Sequence, residues 1–322
     1  MKVNEQPVLR EGIESLWRSV ADHAESPIAG IFGPTSVSWK VNRESAVFLG
    51  AGRAALLQLA HPWVATALDE HSNLRTAPLA RFHNTFRFLY TMIFGSLQQA
   101  LAASRHVYAL HSRIQGELSE GVAAYARSSR YQANDVSALR WVYATLVDSA
   151  VVAYESVLPP LSINERETYY AESKTVAALF GIPPDSLPVD WSAFDAYNRT
   201  MWTSDMLGAN SVARELAQRI LHCGGSRVPV PLWYKGLTTA MMPERFRIEF
   251  SLAYGEEEKA AAAKAQKWLP RIYRRLPSIL RFAGPYHEAR ERLDGRRASR
   301  LTRASNRLWI GEPLMAFSRP DR

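Results

Sequence analysis

The chain has 322 residues and a net charge of +8, with 47% hydrophobic and 22% charged residues. That composition belongs to a globular protein able to bury a large core, and the length admits two domains or one large helical domain. Cys223 is the one cysteine. It excludes an internal disulfide and a thiolate-rich zinc or iron–sulfur site, reads as a small buried hydrophobe, and fits a cytoplasmic location. No run of 18 uncharged apolar residues occurs, and MKVNEQPVLREGIESLW lacks an apolar stretch. Neither a transmembrane helix nor a signal peptide is expected.

Hydrophobic periodicity predicts helix nearly everywhere. A first helix over Glu11–Ala24 is followed by a Gly/Pro loop, SPIAGIFGPTSVSW. Glu44–Glu70 reads as a long buried helix, bent or broken near His61 because Pro62 disfavours the helical conformation before it. Thr76-Ala-Pro78 opens the next helix as a hydroxyl cap with proline in the first turn, and Gly95 ends it. Ser96–Gln115 follows, with Gly116 as the residue just past its C-terminus. Asp135–Leu158 is a long apolar helix stopped by Pro159-Pro160. Ser162-x-x-Glu165 is a capping box for a helix to Phe180. Further helices cover Trp191–Met206 and Ser211–His222. VPVPLW, around Val228–Trp233, is too proline-rich for an inner strand. Pro243, Pro270 and Pro277 break the last third into short pieces, and EEEKAAAAKAQK is a solvated helix.

Five of the eight histidines fall between Val47 and His111. Arg53 lies in a helix that is apolar all round, so its guanidinium must be paired. Its partner is Asp148 or Glu155 on the Asp135–Leu158 helix, or an anionic cofactor group. Arg81 and Thr85, four apart, share a helix face; His83 points away, toward solvent or a capping turn. There a salt bridge with a back-bonded threonine competes with a charge and a hydroxyl held over a ligand. His106 and His111 diverge by about 140°, and His111 faces the apolar side. That placement suits a hydrogen-bonded core histidine and equally a single axial haem ligand. No HExxH, Glu-x-x-His pair, Gly-rich phosphate loop, G-x-S-x-G or CxxCH occurs. Arg290–Arg307 carries seven arginines against two carboxylates. It reads as a solvated helix or as a weak contact with an anionic membrane surface; no nucleic-acid motif accompanies it.

GAGRAALLQLAHPWVATALDEHS, P-x-x-R-F-x-x-T-x-x-F-L-Y-x-x-x-F-G, H-S-R-I-Q-G and LRWVYATLVDSAVVAYE together resemble the mpaB/rubber-oxygenase catalytic-domain family, which includes the latex-clearing proteins. LPPLSINERETYYAESKTVAALFGIPPDSLP resembles its next block. The resemblance implies an all-α fold of the latex-clearing-protein type in a single large domain. Residues 45–284 would form it, with an N-terminal helix and loop (1–44) packed on it and a basic extension (285–322). It implies haem b as cofactor, O2 as co-substrate and a hydrophobic unsaturated substrate, isoprenoid- or lipid-like. His111 resembles the iron ligand, and its second ring nitrogen should donate to a carbonyl or carboxylate. Arg81 and Thr85 resemble the pair beside the haem. Arg53, His61 and His71 fall in the family's polar cluster around the cofactor. Tyr143 stands where many members have histidine in W-V-H-A-T-L, and we count it among the cofactor-binding positions. A haem-free helical carrier of an apolar ligand is the alternative for the same residues.

Overall fold

The computed structural model describes residues 7–222 and 229–315. The expectation for Cys223 lies outside them. About 65% of the chain is helical, and the only sheet among the described residues is one two-stranded ribbon. The all-α expectation holds.

Helix α1 (Arg10–Asp22) lies against α8 (Ile163–Leu179). Helix α2 (Val37–Asn42) starts inside the stretch expected to be loop, because Ser36 accepts from the Trp39 amide and caps it. The expected long helix is three pieces. A 3-10 turn over Ser45–Gly50 precedes α3 (Ala51–Leu59), and α4 (Pro62–His71) begins after an extended His61. Pro62 makes the break where the sequence puts it. The 3-10 turn ends on Gly50, which sits against α7 (Val136–Glu155). A Cβ there would come within 2.5 Å of the Ser149 carbonyl oxygen.

Helix α5 (Pro78–Phe94) takes proline at its first position, but Ala77 rather than Thr76 is its cap residue, with no side-chain bond. Helix α6 (Leu97–His111) opens on a capping box between Ser96 and Gln99. It ends four residues earlier than expected. Gln115–Glu117 is strand β1, antiparallel to β2 (Arg130–Gln132), with Gly116 opposite Tyr131. Gly116 is therefore no helix terminator. The Tyr131 ring covers its Cα, and a Cβ would meet the phenol oxygen at 2.5 Å. Asp135 caps α7 by accepting from the Ser137 and Ala138 amides. The Ser162–Glu165 capping box opens α8, and Gly181, at φ +85°, closes it.

Helices α9 (Trp191–Thr203), α10 (Ser211–Leu221), α11 (Leu232–Ala240), α12 (Glu244–Glu249), α13 (Glu256–Tyr273) and α14 (Ser278–Arg281) follow. Pro243 and Pro277 stand as N-caps, but Pro270 lies inside α13. Helices α15 (Gly284–Leu293) and α16 (Arg300–Ile310) fold back onto α5. His83 is engaged there: its Nε2 is 3.1 Å from the Leu308 carbonyl oxygen. In the basic segment Arg292 is half-buried and donates to the carbonyls of Ile28 and Phe94, while the other six arginines are exposed.

The core has two hydrophobic clusters. One is built on α3, α4, α7, α9 and α10, the other on α1, α2, α5, α6 and the C-terminal pair. Phe180 packs against both. By length and composition α7 could cross a bilayer, and 78% of it is buried within this core.

Candidate functional site

Where the two clusters face each other, the packing leaves a cavity of about 340 Å³. Helical period decides what enters it. On α5, Phe82, Phe86, Tyr90 and Phe94 pack into the second cluster and its aromatic stack, leaving Ala80, Arg81, Asn84, Thr85 and Phe88 to the opposite side and the cavity. Helix α6 buries Ala100, Ala103 and Val107 and delivers His111 at its last turn. Helix α7 contributes Leu139, Val142 and Leu146, and α4 contributes Trp63, Ala67 and His71. The β ribbon supplies Tyr131.

Arg81 and His111 are the chemically unusual members. Neither the Arg81 guanidinium nor either His111 ring nitrogen has a hydrogen-bond or ion-pair partner among the described residues. Protein packs round the guanidinium so thoroughly that burial lowers its pKa. The surface it keeps opens on the cavity. His111 is held down to about 4, chiefly by burial and then by the charge of Arg81. At neutral pH it is an uncharged imidazole with a lone pair to offer. The expected acceptor for its second nitrogen is absent among the described residues, because the ring stands at the end of α6 with the cavity around it. Thr85 donates its hydroxyl to the Arg81 carbonyl at 2.9 Å. Its proton is committed to the helix, so it meets the cavity as an acceptor.

At the exposed end of the cavity His71 Nε2 is 3.2 Å from the Tyr131 hydroxyl, which donates to Glu70 at 2.5 Å. Arg53 and His61 are not in the cavity wall. Arg53 donates to the Met241 carbonyl at 2.9 Å and to Ser149 Oγ at 2.8 Å, and pairs with Asp148 at 2.7 Å. Of its two expected carboxylates, Asp148 is the partner; Glu155 pairs with Arg166. Replacing Asp148 with alanine leaves a buried cation, so denaturant titration is expected to show a loss of roughly 3–5 kcal/mol. A loss below 1 kcal/mol would mean that water screens the pair. His61 is fully buried beside Tyr125, whose hydroxyl is 3.2 Å from Nε2. Tyr143 reaches Ser173 Oγ at 2.6 Å, away from Arg81. Asn84 and Tyr131 are wall residues that sequence reasoning missed. Asn84 had a signal, lying three residues from Arg81 on one helix face. Tyr131 had none without its strand partner.

Burial holds His61 down to about 3. Both histidines are thus uncharged in the fold and bind protons when it unfolds. The stability they contribute is complete above pH 6.5, their ordinary value, and falls as the pH drops from there toward 4. The slope is at most about 1.4 kcal/mol per pH unit for each. Urea midpoints at pH 7 and pH 5 should show this loss, and His61→Asn should remove part of the slope, His111 and His287, whose pKa burial also lowers, keeping the rest. Parallel profiles for the two proteins would contradict it.

Residues 39–281 match the family model described as "ER-bound oxygenase mpaB/B'/Rubber oxygenase, catalytic domain". The chain belongs to this mpaB/rubber-oxygenase family. No curated protein and no solved structure matched the chain. The match runs from α2 into α14 and encloses every residue of the 340 Å³ cavity wall. The domain is thus an oxygenase catalytic domain, whose chemistry uses O2. Among the described residues, no group of three or more His, Cys, Asp or Glu side chains is arranged to hold a metal ion. In this mpaB/rubber-oxygenase domain a metal at His111 would need further ligands from elsewhere.

Proposed function

We propose that the chain is a haem-b-dependent oxygenase acting on a hydrophobic, unsaturated small molecule of isoprenoid or lipid type. One observation carries this reading. A neutral imidazole and a guanidinium, both without partners among the described residues, share a largely apolar cavity in an oxygenase domain. A lone buried cation is costly unless an anion joins it, and a free imidazole is a ready metal ligand. Haem b fits both demands, because it brings four of its own iron ligands, an apolar face and carboxylates. His111 would hold the iron and Arg81 a carboxylate. When bound, the haem supplies the activation of O2.

The chain's own part is binding, orientation and exclusion of water. The apolar walls from α4, α6 and α7 select a hydrocarbon ligand over a hydrated one. Arg81 is the one fixed cation among the described residues of the wall, placed to stabilise negative charge wherever it develops. Thr85, its proton committed, orients a donor. His71, tied to Tyr131 and Glu70, keeps the outer end of the cavity polar.

Freshly purified protein, and colourless protein titrated with haemin, should show a Soret band that saturates at one haem per chain. A protein that takes up no haemin but yields lipid on extraction and mass spectrometry would establish the haem-free carrier instead.

A further inference from the structure

Next to the cavity, and sharing His111 with it, lies a second, inner chamber of about 90 Å³. His111, Leu89, Leu139, Val142, Leu146 and Phe180 belong to the walls of both chambers and form the partition between them. The two spaces differ in chemistry. The outer one carries Arg81 and the exposed polar groups of His71 and Asn84. The inner one has no charged side chain; apart from the His111 imidazole at its mouth and the Ser38 hydroxyl, its polar side chains are engaged with the protein. Asn42 donates to the Ser38 carbonyl at 2.9 Å and approaches the Tyr169 hydroxyl at 3.5 Å. Tyr143 is bonded to Ser173, which donates in turn to the Tyr170 carbonyl at 2.7 Å. Ser149 accepts from Arg53 at 2.8 Å. The remaining wall comes from aliphatic and aromatic side chains and the small residues Gly50, Ala54 and Ala150.

An apolar chamber in an otherwise close-packed core costs stability, because its lining has no contacts on one side. Water does not relieve that cost without free polar partners. A small uncharged molecule does.

We propose that the inner chamber is a binding site for a small apolar ligand, seated behind His111. Two occupants share that chemistry: dioxygen, and the hydrocarbon end of the substrate chain. The inference rests on the oxygenase reading for its purpose, but occupancy of the chamber does not depend on haem.

The experiment therefore uses the full chain without added haemin, labelled at its methyl groups and observed by NMR under xenon, dissolved O2 or isobutane in turn. Xenon should shift the methyl signals of Ala54, Val147 and Ala150, and paramagnetic O2 should relax them more strongly than methyls elsewhere in the core. Isobutane shifts at the same methyls identify a seat for a hydrocarbon end. Gas effects without them identify a seat for dioxygen. Ala150→Leu, which fills the chamber, should abolish the effects, and Ala54→Leu does so from the opposite wall should the first variant fold poorly. No response of those methyls to any of the three probes in the unmodified protein overturns the proposal. So does a response that survives both filling substitutions. Failure to take up haemin, with these responses intact, defeats the haem reading alone.

Discussion

Replacing His111 with alanine should leave a folded protein that no longer forms a haem complex. The imidazole makes no hydrogen bond among the described residues and only part of its surface is buried, so its removal costs the fold little. Small far-ultraviolet and thermal changes are expected. The cofactor, in contrast, loses the imidazole proposed to hold its iron; the cavity's other histidine, His71, is tied to Tyr131 at the outer end. Haemin affinity should fall at least about 100-fold, equivalent to roughly 2.7 kcal/mol. The space left by the ring admits free imidazole, and added imidazole should restore the Soret band. An alanine variant whose band matches the parent in position and intensity would assign the iron to another residue. One that unfolds would show that His111 is chiefly a packing residue; His111→Gln, similar in length, then separates the two roles.

The second expected result has opposite signs for two measurements. Arg81→Met removes a half-buried cation that has no counter-charge among the described residues and substitutes an apolar chain of similar reach. The ligand-free protein should become more stable, by about 1–3 kcal/mol, which raises Tm by a few degrees in a chain of this size. Haem binding or turnover should weaken by at least about tenfold, since the carboxylate partner is gone. Arg81→Lys keeps the charge and loses the planar fork, so it should fall between. This pairing of gained stability with lost function is the mark of a group retained for a ligand. A methionine variant that loses stability in the ligand-free form would mean that Arg81 is already satisfied by protein or water.

What the sequence makes legible here follows local periodicity. Arg81 and Thr85 share a face, His111 looks to the apolar side, and His61 breaks the helix at Pro62, because all of these depend on residues within a turn or two of each other. The capping box at Ser162 is legible for the same reason. The choice of Asp148 over Glu155 as the partner of Arg53 is different. It depends on how far α3 slides along α7, which is set by Gly50 resting on the Ser149 carbonyl. Gly116 misleads because a glycine after a helical pattern looks like a terminator, whereas here it makes room for an aromatic ring fifteen residues later. Pro270 misleads because a proline in the last turn of a helix forfeits only one bond there. The family resemblance groups Arg53 and His61 with the cofactor, while their side chains are spent on Met241, Ser149, Asp148 and Tyr125, away from the cavity wall.

The meeting of the two core clusters at the cavity bears on how the protein unfolds. Helices α5 and α6 belong to one cluster and α3, α4 and α7 to the other, and the space between them interrupts the contacts that would couple their fluctuations. Elements that share few direct contacts are expected to open with different free energies. In the ligand-free chain, amide exchange on α5 and α6 should report a lower opening free energy than on α7. A bound ligand touching both walls would join the two units and bring their protection to a common value, with Phe180, which packs against both, as the hinge.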